Sequence, residues 1–513
     1  MTSINRAHAR ELLNSNKISI VNYSNKLLSK FFKKHEKLIT VITAAYNAEK
    51  SLEKTILSVV NQSLDSKHIE YIIVDDCSTD KTRNIALSYA EKHKNITVVT
   101  LSTNTGSPGT PRNIGLELSN SKYVTFLDSD DWFDTNGLEN LLTILEETND
   151  DYVVGKTIKV KDKSLSIIGE YASVMERRSI SPFDIPHFFY HMGPTARMMK
   201  LSIINQNDIG FPDGKFGEDK QFFFDFLTEC NNVSTTTKPI YYVNRREENN
   251  QSLTKTTEIL DKRKADLNVI EFLKQKKLPL EYEKIALNRI YEYDFMRIFE
   301  STEFLKAKDK TPFINILKEM YETTFDLEYN FIDNFENPLF KTAFKLYTDN
   351  RIGEFIQLFE WNKRDTNKKY LIKDGLPYYE VPFLEEPFNL IRIPMFSRAL
   401  DSYIVNNKYH QTFEIYGDNL KNVQSILIRD RSNVENDLIV SIEWIDNNIG
   451  KFIVPLEDLK KMDNSLFTVF IRYNDYQIIN IKRILHNQVT YQNKTIKFYS
   501  TIANNLGLSI KTK

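Results

Sequence analysis

The residues most able to do chemistry crowd the end of one apolar run, Tyr123-Val124-Thr125-Phe126-Leu127-Asp128-Ser129-Asp130-Asp131-Trp132. Like charges at Asp128, Asp130 and Asp131 repel unless a cation or cationic side chain sits among them. A divalent metal meets that need economically, because Mg²⁺ or Mn²⁺ takes few protein ligands when diphosphate oxygens complete its octahedron. The bland alternative is a helix cap, since residues 137–145 have a helical pattern. A second pair, Glu218-Asp219, follows Gly217 and precedes an aromatic-rich helix expected over 221–227. It is either a helix-start charge or a general base. A third acidic pair is Asp75-Asp76, and Arg112 stands in the Gly- and Pro-rich loop from Asn104 to Gly115, suited to facing an anion. His187 and His191 are spaced i, i+4, but no Glu follows His187 and the aromatic setting favours packing over zinc. Trp132 either shapes an acceptor site or belongs to the core.

Strands and helices must bring these groups together. Residues 38–43, 69–74 and 96–101 are apolar strands, and residues 51–61 and 81–92 are amphipathic helices between them. Such βαβ repeats predict a parallel sheet with helices on both faces, the Asp128 strand being the fourth. Ligands of such sheets gather beyond the carboxyl ends of the strands, here Ala45-Tyr46-Asn47, Asp75-Asp76 and Asp128 to Asp131. No Gly-Lys-Ser/Thr occurs in the loop, and no Gly-x-Gly-x-x-Gly follows a strand, which excludes P-loop and standard dinucleotide enzymes.

A chain of 513 residues exceeds one core. We expect a basic amphipathic extension over 1–37, an α/β domain over 38–254, a helical linker over 255–376 and an all-β sandwich over 377–513, where short alternating strands are separated by Asn, Asp and Gly turns. Net charge is −1, giving no bulk attraction to nucleic acid. The ends differ from the whole: residues 1–38 carry eight Lys or Arg against two Glu, and residues 471–513 carry seven against one Asp. Each basic end is either a solvated face or a surface for a polyanion or an anionic membrane leaflet. The apolar positions Leu27, Leu28, Phe31 and Phe32 among Lys26 to Lys34 read as a helix docked on its own domain, or else lying on a membrane. Two distant cysteines, no apolar run of eighteen and no signal-peptide core point to a cytoplasmic protein, with peripheral contact at the inner membrane face as the variant.

Five motifs in order, Thr43-Ala44-Ala45-Tyr46-Asn47, Val74-Asp75-Asp76, Pro111-Arg112-Asn113-Ile114-Gly115, Phe126 to Asp131 and Gly217-Glu218-Asp219, resemble family 2 glycosyltransferases of the GT-A fold. The layout, Arg112-Asn113 and the spacing from Arg246 to Ser252 look like the wall teichoic acid β-N-acetylglucosaminyltransferases of that family. The N-terminal extension and Cys77, where glycine is usual, depart from the pattern. The resemblance implies an α/β GT-A domain, a helical linker and an immunoglobulin-like sandwich. It also implies an inverting, metal-dependent transfer from a UDP-sugar, UDP-GlcNAc by preference, onto a polyol-phosphate polymer, with a capsule or exopolysaccharide intermediate as the alternative acceptor. A catalytically inactive glycan-binding scaffold is the rival from another class.

Carried over residue by residue, the resemblance places Ala45, Tyr46, Asp76, Arg112, Asn113, Asp128, Ser129, Arg246 and Ser252 around the nucleotide sugar. Tyr46 stacks on uracil, Asp76 accepts its imide proton, and Arg246 with Ser252 closes over the β-phosphate. Asp130 binds Mn²⁺ or Mg²⁺, and Asp219 is the base, assisted by Glu218. It further implies a homo-oligomer, a trimer in the simplest case, formed through the C-terminal domain.

Overall fold

The computed structural model describes residues 6–23, 37–214, 216–246, 258–482 and 486–513. The expected Lys26 to Lys34 helix and Ser252 lie outside these residues. Two compact units divide the chain, the first comprising 1–162, 167–294 and 315–323, the second 163–166, 295–314 and 324–513. Residues 258–294, which the sequence pattern groups with a helical connector, therefore fold with the first unit.

In that first unit a mixed sheet is built from β1 (Ile18–Val21), β2 (Ile39–Ala45), β3 (Ile69–Asp75), β4 (Ile96–Leu101), β5 (Tyr123–Phe126), β6 (Trp132–Phe133), β7 (Tyr152–Lys161), β8 (Arg197–Lys200) and β9 (Val233–Asn244). Their spatial order is β1-β4-β3-β2-β5-β8-β7-β9-β6. Strands β4, β3, β2 and β5 are parallel, as the βαβ rhythm predicts, with Ala45 level with Asp75 and Ile42 level with Phe126. The sheet as a whole is not parallel. Strand β8 runs antiparallel to both β5 and β7, and the two-residue β6 runs antiparallel to β9. These strands are too short to show a period of their own, so only the tertiary pairing reveals them.

Helices α1 (Ala7–Leu13), α2 (Leu52–Val60), α3 (Thr82–Lys92), α4 (Gly109–Leu118) and α5 (Gly137–Thr148) cover both faces. Alternate residues of β3 supply the two cores, because successive side chains of a strand point to opposite faces. Tyr71 and Ile73 pack with Leu52, Ile56 and Ala86 from α2 and α3. Ile72 and Val74 pack with Ala9, Leu12 and Ile114 from α1 and α4. Gly115 lets α4 approach β2, since a Cβ there would lie 2.4 Å from Ile42 Cγ2.

The described part of the N-terminal extension docks on this domain. Strand β1 extends the edge of β4, and Arg6 and Arg10 pair with Glu117, while Arg10 also bonds Asp208. Two of the eight basic residues of this end are thus engaged by the protein's own acids. No helix among the described residues is long and apolar enough to cross a membrane.

The second unit holds helices Pro338–Thr348 and Ile352–Arg364 on an aromatic cluster of Phe299, Phe304, Phe355 and Phe359, then an all-β region. Strands Met395–Val405, Lys408–Gly417 and Ile449–Pro455 form one part, and Ser465–Tyr473, Lys494–Ser500 and Leu506–Thr512 another. Both parts enclose one core, where Tyr409 stacks on Phe498 with centroids 3.5 Å apart. The five strands read from alternation at 412–416, 425–429, 438–442, 468–472 and 477–481 all coincide with observed strands, the third ending two residues early at Val440.

Candidate active site

The parallel strands deliver their acids to one edge of the sheet, where Arg112 of α4 organises them. Its Nη1 donates to Asp219 Oδ1 at 2.6 Å and its Nη2 to Asp128 Oδ1 at 2.8 Å. Acids that stand 16 and 107 residues from Arg112 in the chain therefore share one guanidinium. The Arg112 side chain is 5% exposed, while Asp128 and Asp219 keep 35% and 31% of their side-chain surface open. The floor beneath is aromatic: Phe211 and Phe222 stack at 4.1 Å, Phe126 meets both edge-on, and Arg112 lies over Phe211. Asn113, placed by resemblance around the nucleotide sugar, is 2% exposed and bonded reciprocally to the Phe211 backbone, at 2.8 Å in each direction. Its amide holds the segment that leads into Glu218-Asp219.

That pair begins helix α6 (Glu218–Thr228), entered through Gly217 at φ 88°, a conformation that favours glycine. Partial burial against the aromatic floor pushes Asp219 up to about 7 against the pull of Arg112, with Glu218 and Asp128 adding to the rise. The open third of its surface tempers that shift. Burial also raises Glu218, which Arg112 opposes.

The crowding of the three aspartates is relieved by the protein itself. Asp128 is neutralised by Arg112, and its N–H donates to the Tyr241 hydroxyl at 3.0 Å. Asp131 is 2% exposed and accepts from the Asn244 N–H at 2.7 Å. Burial, then Asp130 and Asp128, hold it well above the usual carboxylate range. Among the described residues no group of three or more His, Cys, Asp or Glu side chains could hold one. Asp128 rests on Arg112 and Asp131 turns to Asn244, so a cation here would bring most of its oxygen ligands from a diphosphate.

The other expected positions line the same edge. Ala45 ends β2, its carbonyl accepting from the Asp76 N–H at 2.8 Å, and Tyr46 after it is 51% exposed. Asp76 is 4% exposed and accepts from Thr105 N–H at 2.9 Å, Thr105 Oγ1 at 2.9 Å and Asn104 Nδ2 at 3.2 Å. Burial raises its pKa and the Thr105 bonds oppose that. The Ser129 carbonyl is tied to α2 by Ser51 and Thr55 hydroxyls at 2.9 and 3.0 Å. Trp132 is half-buried, stacked on Tyr242 at 5.7 Å, with the Lys54 ammonium over its ring. Burial, then the charge of nearby Arg246, lowers Lys54.

Sequence reading gave no individual role to Asn104, Thr105, Tyr241, Asn244 or Lys54, although Asn104 and Thr105 begin the loop it singled out. Of the histidine pair, His191 Nδ1 stands 3.3 Å from Arg197 Nη2 and His187 packs on Tyr190; burial, then the charges of Arg197 and Arg289, push His191 down to about 3.

Among known families, residues 40–205 match Glycosyl transferase family 2. This stretch is a family 2 glycosyl transferase domain. It supplies Tyr46, Asp76, Arg112 and the Asp128 turn, whereas Glu218-Asp219 lies beyond the matched residues. The chain is 35% identical over 211 residues to the poly(ribitol-phosphate) β-N-acetylglucosaminyltransferase TarP of Staphylococcus aureus, covering 40% of this chain and 62% of TarP, under two thirds of its length. It is 23% identical over 449 residues to the poly(ribitol-phosphate) β-glucosyltransferase of Bacillus spizizenii, covering 85% of this chain and 67% of the relative. The crystal structure of S. aureus TarS superimposes with a TM-score of 0.57 at 19% identity, covering 93% of this chain and 85% of TarS. Residues 1–349 of TarS in complex with UDP-GlcNAc give 0.58 at 21%, covering 69% and 99%. At these identities the likenesses speak to the fold alone.

Proposed function

We propose that this chain transfers a hexose, N-acetylglucosamine or glucose, from its UDP-sugar to a hydroxyl of poly(ribitol phosphate), with inversion at the anomeric carbon. The observation that carries the reading is the sharing of Arg112 between Asp128 and Asp219. It sets a carboxylate poised near neutrality beside an acid that follows a nucleotide-binding strand. The named activities of TarP and of the Bacillus glucosyltransferase support the acceptor, and their difference leaves two sugars to compare.

In the mechanism we favour, Tyr46 and Asp76 hold uracil, Asp128 and the Ser129 turn orient the ribose and sugar hydroxyls, and Arg246 faces the diphosphate. Asp219 removes the proton of the acceptor hydroxyl as its oxygen bonds to C1. The bond from C1 to the diphosphate oxygen breaks on the opposite face, and UDP leaves with the electron pair. A pKa near the working pH suits this task, since the base is then ionised yet still able to keep a proton. Glu218 assists by holding Asp219 up, and Arg112 keeps it from rising out of range. Mg²⁺ or Mn²⁺ held by Asp130 would neutralise charge on the diphosphate.

The test is a UDP-release screen crossing UDP-GlcNAc and UDP-glucose with purified ribitol-phosphate and glycerol-phosphate polymers. Turnover confined to the ribitol polymer is expected, and none on that polymer with either sugar would refute the reading.

The all-β region offers a surface for the polymer. In the hairpin of Lys494–Ser500 and Leu506–Thr512, Ile496, Phe498, Leu508 and Ile510 point into the core, and Lys497 and Lys511 are exposed. Polyanion binding there predicts that the double variant Lys497→Glu, Lys511→Glu raises KM for long polymer on the order of tenfold at low salt and leaves a short acceptor unaffected. Steady-state rates on both acceptors at low and high salt check this. An equal effect on the two would exclude a polymer-holding role.

A further inference from the structure

Behind the acids lies a buried ion cluster that the transfer itself does not use. Lys220, the residue after Asp219, is 11% exposed. Its Nζ bonds Asp266 and reaches Asp294 Oδ2 at 2.8 Å. Asp266 belongs to helix α7 (Ile259–Gln275), and its side chain is fully buried. Arg263 Nη2 stands 2.9 Å from the same carboxylate, and Arg289 bonds Asp294 while donating to the Phe189 carbonyl at 3.1 Å. Three cations and two carboxylates from three separate segments thus meet one peptide away from the candidate base. Gly217, the left-handed residue that starts α6, presses on α7 as well, for a Cβ there would come within 3.3 Å of Ala265 Cβ.

We propose that Lys220 is a positioning residue, whose bonds to Asp266 and Asp294 fix the first turn of α6 so that Asp219 meets the acceptor hydroxyl. The proposal rests on the reading of Asp219 as the base. Its physical ground is leverage. The side chains at positions 219 and 220 leave adjacent Cα atoms, so anchoring one sets the backbone direction of the other. A lysine in that place costs desolvation that only close carboxylates repay. An error of about 1 Å in a reacting group costs on the order of a hundredfold in rate.

Helix α6 contains its own control. Near its other end Asp225 pairs with Lys276 at 2.5 Å, and these side chains are 10% and 14% exposed, so this ion pair resembles the first one but lies remote from the acids. The experiment compares Lys220→Met, Lys220→Arg, Lys276→Met and Asp219→Asn in the full chain, recording Tm, kcat, donor KM and acceptor KM. We expect Lys220→Met to lower kcat about thirtyfold with donor KM within twofold, Lys220→Arg to recover most of it, and Lys276→Met to lower Tm with kcat within threefold. If Lys220→Met is not recovered folded, the isosteric Asp266→Asn takes its place and should lower kcat more than Lys276→Met does. Loss of kcat in proportion to Tm for both lysine variants would show that the cluster only stabilises the fold, which overturns the proposal. So would unchanged kcat in Lys220→Met while Asp219→Asn is inactive. Full activity in Asp219→Asn would instead sink the reading of the base.

Discussion

Asp219→Asn should lower kcat by about a thousandfold, within the 10²–10⁴ range of general-base catalysis, while donor KM moves by less than threefold. Asparagine keeps the shape and one oxygen for Arg112 but cannot take a proton. The expected selectivity follows from the division of roles, because Asp219 bonds Arg112 whereas uracil is assigned to Tyr46 and Asp76. The same residue sets the pH dependence. Its carboxyl is pushed up to about 7, and only the ionised form is a base, so kcat/KM should fall about tenfold per pH unit below that value. Initial rates of UDP release from pH 5 to 9 measure both effects. Activity within tenfold of the natural protein in Asp219→Asn would remove this residue from the chemistry.

The second large effect belongs to Arg112→Met. Breaking a fully buried ion pair costs about 3–5 kcal/mol, because the remaining charge loses its partner in a poorly solvated place. Here the two carboxylates keep 35% and 31% of their surface in contact with solvent, so a loss of about 2–3 kcal/mol is expected. The kinetic signature is more specific than the stability loss. Arg112 pulls Asp219 down, and without it burial, Glu218 and Asp128 are opposed by the weaker pull of Arg197, so the acid limb of the rate profile should move to higher pH. The sign is fixed by the chemistry: a base whose pKa rises is protonated over a wider range and works only in more alkaline solution. Denaturant unfolding at pH 8 and the pH profile of the surviving activity test the two parts. A profile that does not move, or moves to lower pH, would show that Arg112 does not govern the base.

These expectations depend on features with different visibility in the chain. The parallel core strands were legible because buried strands of a βαβ unit are continuous apolar runs, and the acid clusters were legible because polar breaks after such runs mark the ligand edge. The C-terminal strands were legible from alternation alone. The antiparallel β8 and β6 were not, being four and two residues long. Three neighbouring carboxylates look alike in sequence. Asp131 differs only because the chain folds it inward onto Asn244, more than a hundred residues later.

Arg112 shows the division most clearly. Its place in a loop entering a helix suggested a cation facing an anion, and both arms meet carboxylates of the protein itself. Asn113 beside it turns to the Phe211 backbone. What the amino-acid order determined by itself is local: which segments are strands or helices, where the acids interrupt them, and the family likeness those interruptions carry. Which cation meets which carboxylate was decided only by the tertiary structure, because attraction between charges depends on distance and burial, and residues 112 and 219 come together only when α4 and α6 pack over the same aromatic floor.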